Sequence, residues 1–293
     1  MKKIFVFFVL VGNLSAQEIN TGLSFLKLGI GARAVAMGEA FTGIASDHSS
    51  LYYNPATPRF AKSNEVMVMH KNWIAETTTE YLGATVLGKE FSYGFSAYTT
   101  SVPDIEVRTK PGPSEGTFSA QNVALGATVA YSIDEHLAVG VTGKMLYEKI
   151  FVDEATGYGI DIGFFRSSDD LSFGASVLHI GAMSTLKYES TKLPTTIRVG
   201  GSYRYNEIQS MKLTGAIDAL QTLDDKITHF HFGIEGTYND ILSLRAGYKT
   251  GYEFSSITTG FGVMYGIVKF DYAFVPFTGG LSSTHTFSLS FLL

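Results

Sequence analysis

The sequence predicts an all-β protein: a 14-stranded antiparallel transmembrane β-barrel with an N-terminal plug (hatch) inside the lumen. Three observations predict it. Segments of roughly ten residues alternate apolar and polar side chains, which is the length a tilted strand needs to cross a bilayer. The connections between them alternate between short and long, like the periplasmic turns and outer loops of an outer-membrane barrel. A compact stretch rich in Gly and Ala, residues 22–60, precedes the first strand. Small residues let backbone pack closely against a surrounding wall.

The chain divides into a signal peptide (1–16), a plug (17–62) and a barrel (63–293). Met1-Lys2-Lys3 is a positive n-region and Ile4 to Val11 an apolar h-region. Ala16 supplies the small residue before a cut at Gln17, and the whole is too short to span a membrane as a helix. There is no Cys among the 293 residues, which excludes disulfides, a Cys-anchored lipid and thiolate metal sites. Only 17% of residues are charged, with 31 Gly and 16 Tyr, a balance typical of membrane barrels. Loss of Lys2 and Lys3 takes the net charge from −5 to −7, which argues against nucleic acid as a partner.

Within the plug, Phe25-Leu26, Gly31-Ala32-Arg33-Ala34, Met37-Gly38, Ala45-Ser46-Asp47 and Leu51-Tyr52-Tyr53-Asn54-Pro55-Ala56 stand at fixed spacing. This pattern resembles the N-terminal signature of the PorV/PorQ family, part of the wider FadL-like outer-membrane barrels. Gly31, Ala32, Arg33, Ala34, Met37, Gly38, Asp47, Asn54, Pro55 and Ala56 carry the motif. The resemblance implies a place in the bacterial outer membrane, in contact with its lipid. PorV/PorQ likeness implies type IX protein secretion, with exported cargo or secretion-system proteins as partners. FadL likeness implies passage of a fatty acid or other hydrophobic ligand past a plug that shifts, with exit sideways into the membrane. Phe25, Leu26, Leu28 and Met37 are then the candidate ligand contacts. An apolar pocket leading to the plug favours transport, whereas a lumen sealed by ion pairs favours the interaction role.

Two other readings of the plug fail. Gly29 to Ala34 matches the dinucleotide fingerprint GxGxxG/A, but no βαβ unit follows. An amphipathic helix over 31–45 packed on a soluble core has no second helix to pack with.

The fourteen strands are expected at about 64–71, 78–87, 90–100, 120–132, 136–149, 157–166, 170–179, 195–205, 210–220, 228–238, 241–249, 256–265, 267–275 and 284–293. In the fifth, Val139, Val141 and Met145 oppose Thr142, Lys144 and Glu148. In the eighth, Ile197, Val199 and Tyr203 oppose Arg198, Ser202 and Arg204. In the last, Phe287, Leu289 and Phe291 oppose Thr286, Ser288 and Ser290. Successive strand side chains face opposite ways, so each strand has one apolar and one polar face. Tyr131, Tyr205, Tyr238 and Tyr265 fall at one end of the apolar face, and Tyr147, Tyr158, Tyr248 and Phe274 at the other. Those are the two aromatic girdles of a membrane barrel. Long connections are expected at 72–77, 101–119, 150–156, 180–194, 221–227, 250–255 and 276–283.

The polar face carries charges of both signs, among them Lys144, Asp161, Arg198, Asp218, Glu235, Arg245, Lys249, Lys269 and Asp271. Buried charges need partners. Pairing with one another and with Arg33, Glu39 and Asp47 would hold the plug; a charged conduction path is the alternative. Gly126, Gly140, Gly163, Gly200, Gly233, Gly247, Gly260 and Gly262 on the same face leave room for a plug.

No enzymatic site is expected. Asp47-His48-Ser49 holds the triad residue types consecutively, but a triad is set in space. His229 and His231 without a third ligand make a weak metal site, and neither metal nor cofactor is expected. His70 and Trp73 are expected to anchor the rim. Partner contacts are expected on the outer connections, at Pro103, Asp104, Pro111, Gly112, Pro113 and Tyr188.

Overall fold

The period-two segments fold as strands that pair with their chain neighbours, and the last pairs with the first to close an antiparallel barrel. The computed structural model describes residues 22–208, 210–223 and 227–293, with side chains at 207 and 208 excepted. The expected signal peptide and the first residues after it lie outside the described residues. The strands are β1 (Glu65–Asn72), β2 (Thr78–Leu87), β3 (Phe91–Val107), β4 (Gly116–Ser132), β5 (Leu137–Ile150), β6 (Asp153–Ser168) and β7 (Leu171–Met183). They continue as β8 (Thr196–Ile208), β9 (Met211–Thr222), β10 (Thr228–Tyr238), β11 (Leu242–Lys249), β12 (Ile257–Tyr265), β13 (Val268–Val275) and β14 (Thr284–Leu292).

Fourteen strands were expected and fourteen close the barrel. Their faces follow the pattern. Val139, Val141 and Met145 of β5 are exposed outward, while Thr142 and Glu148 are buried inward. Tyr131, Tyr205, Tyr238 and Tyr265 are exposed at one rim, and Tyr158 and Tyr248 towards the other. This apolar outer belt with aromatic edges suits the hydrocarbon layer of a membrane. The rim with short turns corresponds to the periplasmic rim of outer-membrane barrels, and the two rims are named accordingly. Its β10–β11 turn places Asn239 and Asp240 at φ 51° and 57°, the paired left-handed geometry that Asn and Asp tolerate in tight hairpins.

The outer connections differ from expectation in three places. β3 and β4 run on together to Val107 and from Gly116, so only 108–115 is a connection there. Pro103 and Asp104 therefore lie in a strand, at a register shift between Val102 and Ile105 where Asp104 has φ 52°. A proline lacks the ladder N–H and is tolerated where the ladder is interrupted. Pro111, Gly112 and Pro113 remain in the connection. The stretch expected as a loop over 150–156 is mostly strand, with Phe151 and Val152 as the turn. The connection after β7 begins beyond Met183 and contains a small hairpin, Thr185–Leu186 with Glu189–Ser190, whose turn exposes Tyr188.

The wall has one further irregularity. Between β6 and β7 the register moves from Ile160↔Ile180 to Ile162↔Val177, leaving an extra residue on β7. Leu178 and His179 are both buried there and His179 has φ 62°. The bulge donor is not orphaned: the His179 N–H donates to Asp161 Oδ1 at 2.7 Å.

Residues 22–63 contain only short helices. They are 3₁₀ turns at Ser24–Lys27 and Thr57–Phe60, α1 (Ala32–Ala36) and α2 (Ser50–Tyr53). The helix weighed over 31–45 stops at Ala36, because Gly38 turns the chain with φ 65°.

Candidate functional site

The N-terminal segment is held by inward-facing groups from all round the barrel. The Ala32 N–H donates to Ser288 Oγ of β14 at 2.9 Å, and the Gly38 N–H to Thr258 Oγ1 of β12 at 3.0 Å. Asp218 Oδ2 of β9 accepts from the Phe41 and Thr42 N–H groups, at 3.1 and 3.0 Å, and from Arg198 Nη2 of β8 at 2.9 Å. Ser176 Oγ of β7 donates to the Tyr53 carbonyl, and Asn54 Nδ2 to the Phe164 carbonyl of β6. These bonds replace water for backbone groups that a helix or sheet would otherwise pair.

Inward glycines supply the clearance. A Cβ on Gly247 would lie 2.1 Å from the Gly38 nitrogen, and one on Gly140 would lie 2.1 Å from the Pro55 carbonyl oxygen. Side chains at these positions would collide with the segment's backbone.

Six charged groups form a closed ring between the segment and β10–β13. Arg33 Nη1 is 2.8 Å from Asp47 Oδ2, and Lys269 Nζ is 3.4 Å from the same oxygen. Lys269 is also 3.0 Å from Asp271 Oδ2, and Arg245 Nη1 is 2.7 Å from Asp271 Oδ1. Arg245 Nε then meets Glu235 Oε2 at 2.6 Å, and Glu235 Oε1 returns to Arg33 Nη2 at 2.5 Å. Three cations alternate with three carboxylates, so each buried charge has two opposite neighbours. Burial pushes the Asp47 carboxyl up, but Lys269 and Arg33 outweigh it and hold Asp47 well below the usual carboxylate range.

The ring faces a polar vestibule of about 420 Å³ at the periplasmic end, lined by Arg33, Glu235, Arg204 and Lys212. The outer half of the lumen has different chemistry. Leu23, Phe25, Leu26 and Ile30 pack with Met67, Met69, Tyr81, Tyr98, Leu146 and Met183 of the wall. Two cavities lie beside this cluster. One, about 400 Å³, is lined by Leu28, Val35, Lys71, Trp73, Phe254 and Phe277. The other, about 280 Å³, is lined by Leu26, Tyr52, Leu178, His179, Arg198 and Leu220. Lys27, Glu39 and Tyr252 line both. Burial pushes the Glu39 carboxyl up, but Lys249 at 3.2 Å, His231 and Lys71 hold it down at about 2.

The family model described as Uncharacterised protein family (UPF0164) matches residues 14–160, just over half of the chain. The chain belongs to UPF0164. No curated protein matches it in sequence. Solved structures match this UPF0164 chain across nearly the whole barrel. The toluene transporter TodX of Pseudomonas putida has a TM-score of 0.65 at 14% identity, covering 89% of this chain and 97% of that one. The toluene transporter TbuX of Ralstonia pickettii has a TM-score of 0.64 at 13% identity, covering 90% and 98%. A FadL homologue of Pseudomonas aeruginosa has a TM-score of 0.52 at 11% identity, covering 88% and 96%. The fold of this UPF0164 member is that of FadL-like barrels of bacterial outer membranes.

The candidate ligand residues separate in space. Phe25 and Leu26 are buried in the outer apolar cluster, with Leu28 packed against it. Met37 does not join them. The turn at Gly38 sends it to a second cluster with Ala34, Phe41, Ile44 and Tyr53. Ala32 packs on Ala273 and Val275, Ala56 on Ala138 and Phe165, and the Asn54 Oδ1 accepts from the Ala56 N–H. Gly31 has φ 83° and faces Ser49. Pro55 sits against Gly140 and Gly163.

His48 does not form a triad. Its ring nitrogens meet Thr85 Oγ1 at 2.7 Å and Tyr81 Oη at 2.9 Å, and burial lowers its pKa to about 4. His229 stacks on Tyr252 with centroids 4.3 Å apart, while His231 Nε2 meets the Tyr252 hydroxyl. Among the described residues no group of three metal-ligating side chains is present. His70 faces outward on β1 beside Glu80, at 2.6 Å.

Sequence reasoning missed Lys71, Tyr52 and Tyr53. The Tyr53 hydroxyl spans the Ile30 backbone, and Tyr52 donates to the Leu26 carbonyl at 2.5 Å. Both tyrosines stand in the quoted motif, where two adjacent large aromatics inside a small-residue segment are the signal.

Proposed function

We propose that this protein is an outer-membrane channel for hydrophobic small molecules, with residues 22–62 acting as its plug. The observation that carries the reading is the apolar outer half of the lumen. Leu26 and Leu28 line cavities there, beside the apolar cluster that holds Phe25. A largely apolar cavity of about 400 Å³ with a few polar groups has the size and character of a small-ligand site, roughly 300–1,000 Å³. The fold shared with the two toluene transporters supports it. Both features weighed from sequence occur together. The apolar cavities lie on the outer side, and the ion-pair ring closes the periplasmic side of the same lumen.

In this reading the ligand enters between the outer connections and rests against Phe25 and Leu26. It leaves where the wall is weakest. The β6–β7 bulge is the natural exit, because Leu178 and His179 there line the second cavity and the ladder is interrupted.

PorV/PorQ likeness would instead make the hairpins around Pro111–Pro113 and Tyr188 contacts for exported cargo. Neither the family model nor the similar structures carry a secretion role, and no feature of those hairpins favours it over the channel reading.

The test is uptake by cells whose outer membrane carries the protein, against cells with an empty vector. The initial rate for a labelled hydrocarbon rises several-fold if the channel reading holds. Equal rates with the barrel present in the membrane overturn it.

A further inference from the structure

The vestibule at the periplasmic end carries a charge balance that its own walls leave open. Four cations line it, Arg33, Lys62, Arg204 and Lys212, against two carboxylates, Glu235 and Asp240. Both carboxylates are engaged. Glu235 is shared by Arg33 and Arg245 in the ring. Asp240 takes Lys212 Nζ on both oxygens, at 2.5 and 2.7 Å. Arg204 and Lys62 are left over, since among the described residues neither has a carboxylate within ion-pair distance. The Arg204 side chain makes one bond there, from Nη2 to the Asp169 backbone carbonyl at 2.9 Å. The carboxylates of Asp169 and Asp170 on that turn are exposed instead. A guanidinium has five N–H donors in a fork that matches a carboxylate or phosphate, and most of those on Arg204 are unspent.

The rest of the wall is rich in hydroxyls. Ser167, Ser172, Ser202, Thr214 and Thr237 line it, with the Asn206 amide. A hydroxyl offers one donor and two acceptor sites. Ser167 meets Ser172 at 3.2 Å, and Ser202 donates to the Gly43 carbonyl at 2.8 Å, which uses only part of that capacity. Phe60 and Phe165, with ring centroids 5.1 Å apart, supply one apolar side. At about 420 Å³ the space falls within the roughly 300–1,000 Å³ of small-ligand sites. Arg33 and Glu235 stand at its inner end, where the ion-pair ring closes the lumen. A ligand here therefore enters and leaves on the same side.

We propose that the periplasmic vestibule is a second binding site, for a hydrophilic acid: one carboxylate or phosphate on a hydroxylated body, as in a sugar acid or a sugar phosphate. Arg204 takes the acid group in its fork, and Lys62 adds its charge at the mouth. The serines and threonines exchange hydrogen bonds with the ligand's hydroxyls. This site lies at the other end of the lumen from the apolar cavities, so it and the channel reading stand or fall separately.

The protein in lipid nanodiscs is titrated calorimetrically with glucuronate, glucose 6-phosphate, glucose and inorganic phosphate, at one ionic strength. At least one of the two sugar acids is expected to bind at least about tenfold more tightly than glucose and than inorganic phosphate. Whichever of them binds more tightly fixes the acid group as carboxylate or phosphate. In Arg204→Met that preference over glucose disappears, and in Arg204→Lys part of it returns. The heat-dependent gel shift checks that each variant keeps its barrel. Sugar acids that bind no better than glucose overturn the inference. So does inorganic phosphate that binds as tightly as either, because the hydroxylated body then contributes nothing. Full preference retained in Arg204→Met overturns it as well.

Discussion

Arg33 of the N-terminal segment grips Glu235 of the barrel wall with two parallel bonds, Nη2 to Oε1 at 2.5 Å and Nε to Oε2 at 2.7 Å. The paired fork is the strongest geometry available to a guanidinium and a carboxylate. It is also directional, because it fixes the rotation of α1 against β10. The other side of Arg33 reaches Asp47, so two distant points of the segment are tied to the wall through one side chain. The ring is neutral as a set, and that neutrality lets six charges sit inside the barrel.

Removing one member should therefore loosen the segment while leaving the barrel closed. Arg33→Met strips Glu235 and Asp47 of one partner each, though Arg245 and Lys269 remain. Breaking a buried pair typically costs about 3 kcal/mol or more. Amide exchange over residues 32–47 should speed up roughly a hundredfold. Conductance across a planar bilayer should rise above that of the unaltered protein. Unchanged exchange and conductance would mean that the ring does not hold the segment.

Close approach gives a second, independent handle. Gly247 lies on β11 where a Cβ would come within 2.1 Å of the Gly38 nitrogen. The two nearest segment atoms, the Gly38 nitrogen and the Met37 carbonyl carbon, are backbone and cannot swing away. Gly247→Val should expel this part of the segment, since overpacking costs about 1–3 kcal/mol even where side chains can adjust. The barrel's own ladder does not need the glycine, so the heat-dependent gel shift should persist while trypsin gains access to Arg33. A variant in which Arg33 stays protected would place the segment elsewhere.

The barrel was legible because each strand states its faces in alternating residues. The ends of β3 and β4 were not. Beyond Ser101 the alternation stops, and Pro103 reads as a breaker, yet pairing continues past a bulge outside the apolar belt. The residue types of the ring were legible, since inward charges must pair. Which charge meets which was not, because Arg33 and Asp47 find Glu235 and Lys269 only once the segment's rotation is fixed. Lys71 escaped notice because both faces of β1 carry apolar side chains, Val66 and Val68 on one and Met67 and Met69 on the other. The parity of a single terminal lysine could not be read from such a strand.

The outer apolar cluster predicts a substitution that affects passage without touching the ring. Leu26 is buried there and lines the smaller cavity. Leu26→Asp puts an unpaired carboxylate into an apolar site, at a cost of a few kcal/mol in the segment's outer end. Uptake of a labelled hydrocarbon should fall towards the empty-vector rate, and exchange at residues 32–47 should change little. Undiminished uptake would remove this cluster from the route.

Acid should release the segment, and three of its own groups set the direction. His48 is neutral in its buried seat, with its pKa lowered from the ordinary 6.5 to about 4. Below pH 6.5 the free imidazole of an unseated segment takes up a proton that the seated one refuses, so seating weakens as pH falls from 6.5 towards 4. Glu39 is held down at about 2. Its contribution is complete above about 4.5 and is lost as pH falls from there towards 2. Asp47, held well below the usual carboxylate range, acts in the same sense and at the acid end of the same window. All three shifts push one way, so the loss should begin gently below pH 6.5 and steepen below 4.5. Amide exchange over residues 39–48, measured from pH 7 to pH 3 and corrected for its intrinsic pH dependence, should show that two-stage loss of protection. Replacing His48 by Gln should shrink the upper stage and leave the lower one. A profile that stays flat to pH 3, or an upper stage undiminished in the variant, would separate the segment's seating from these groups.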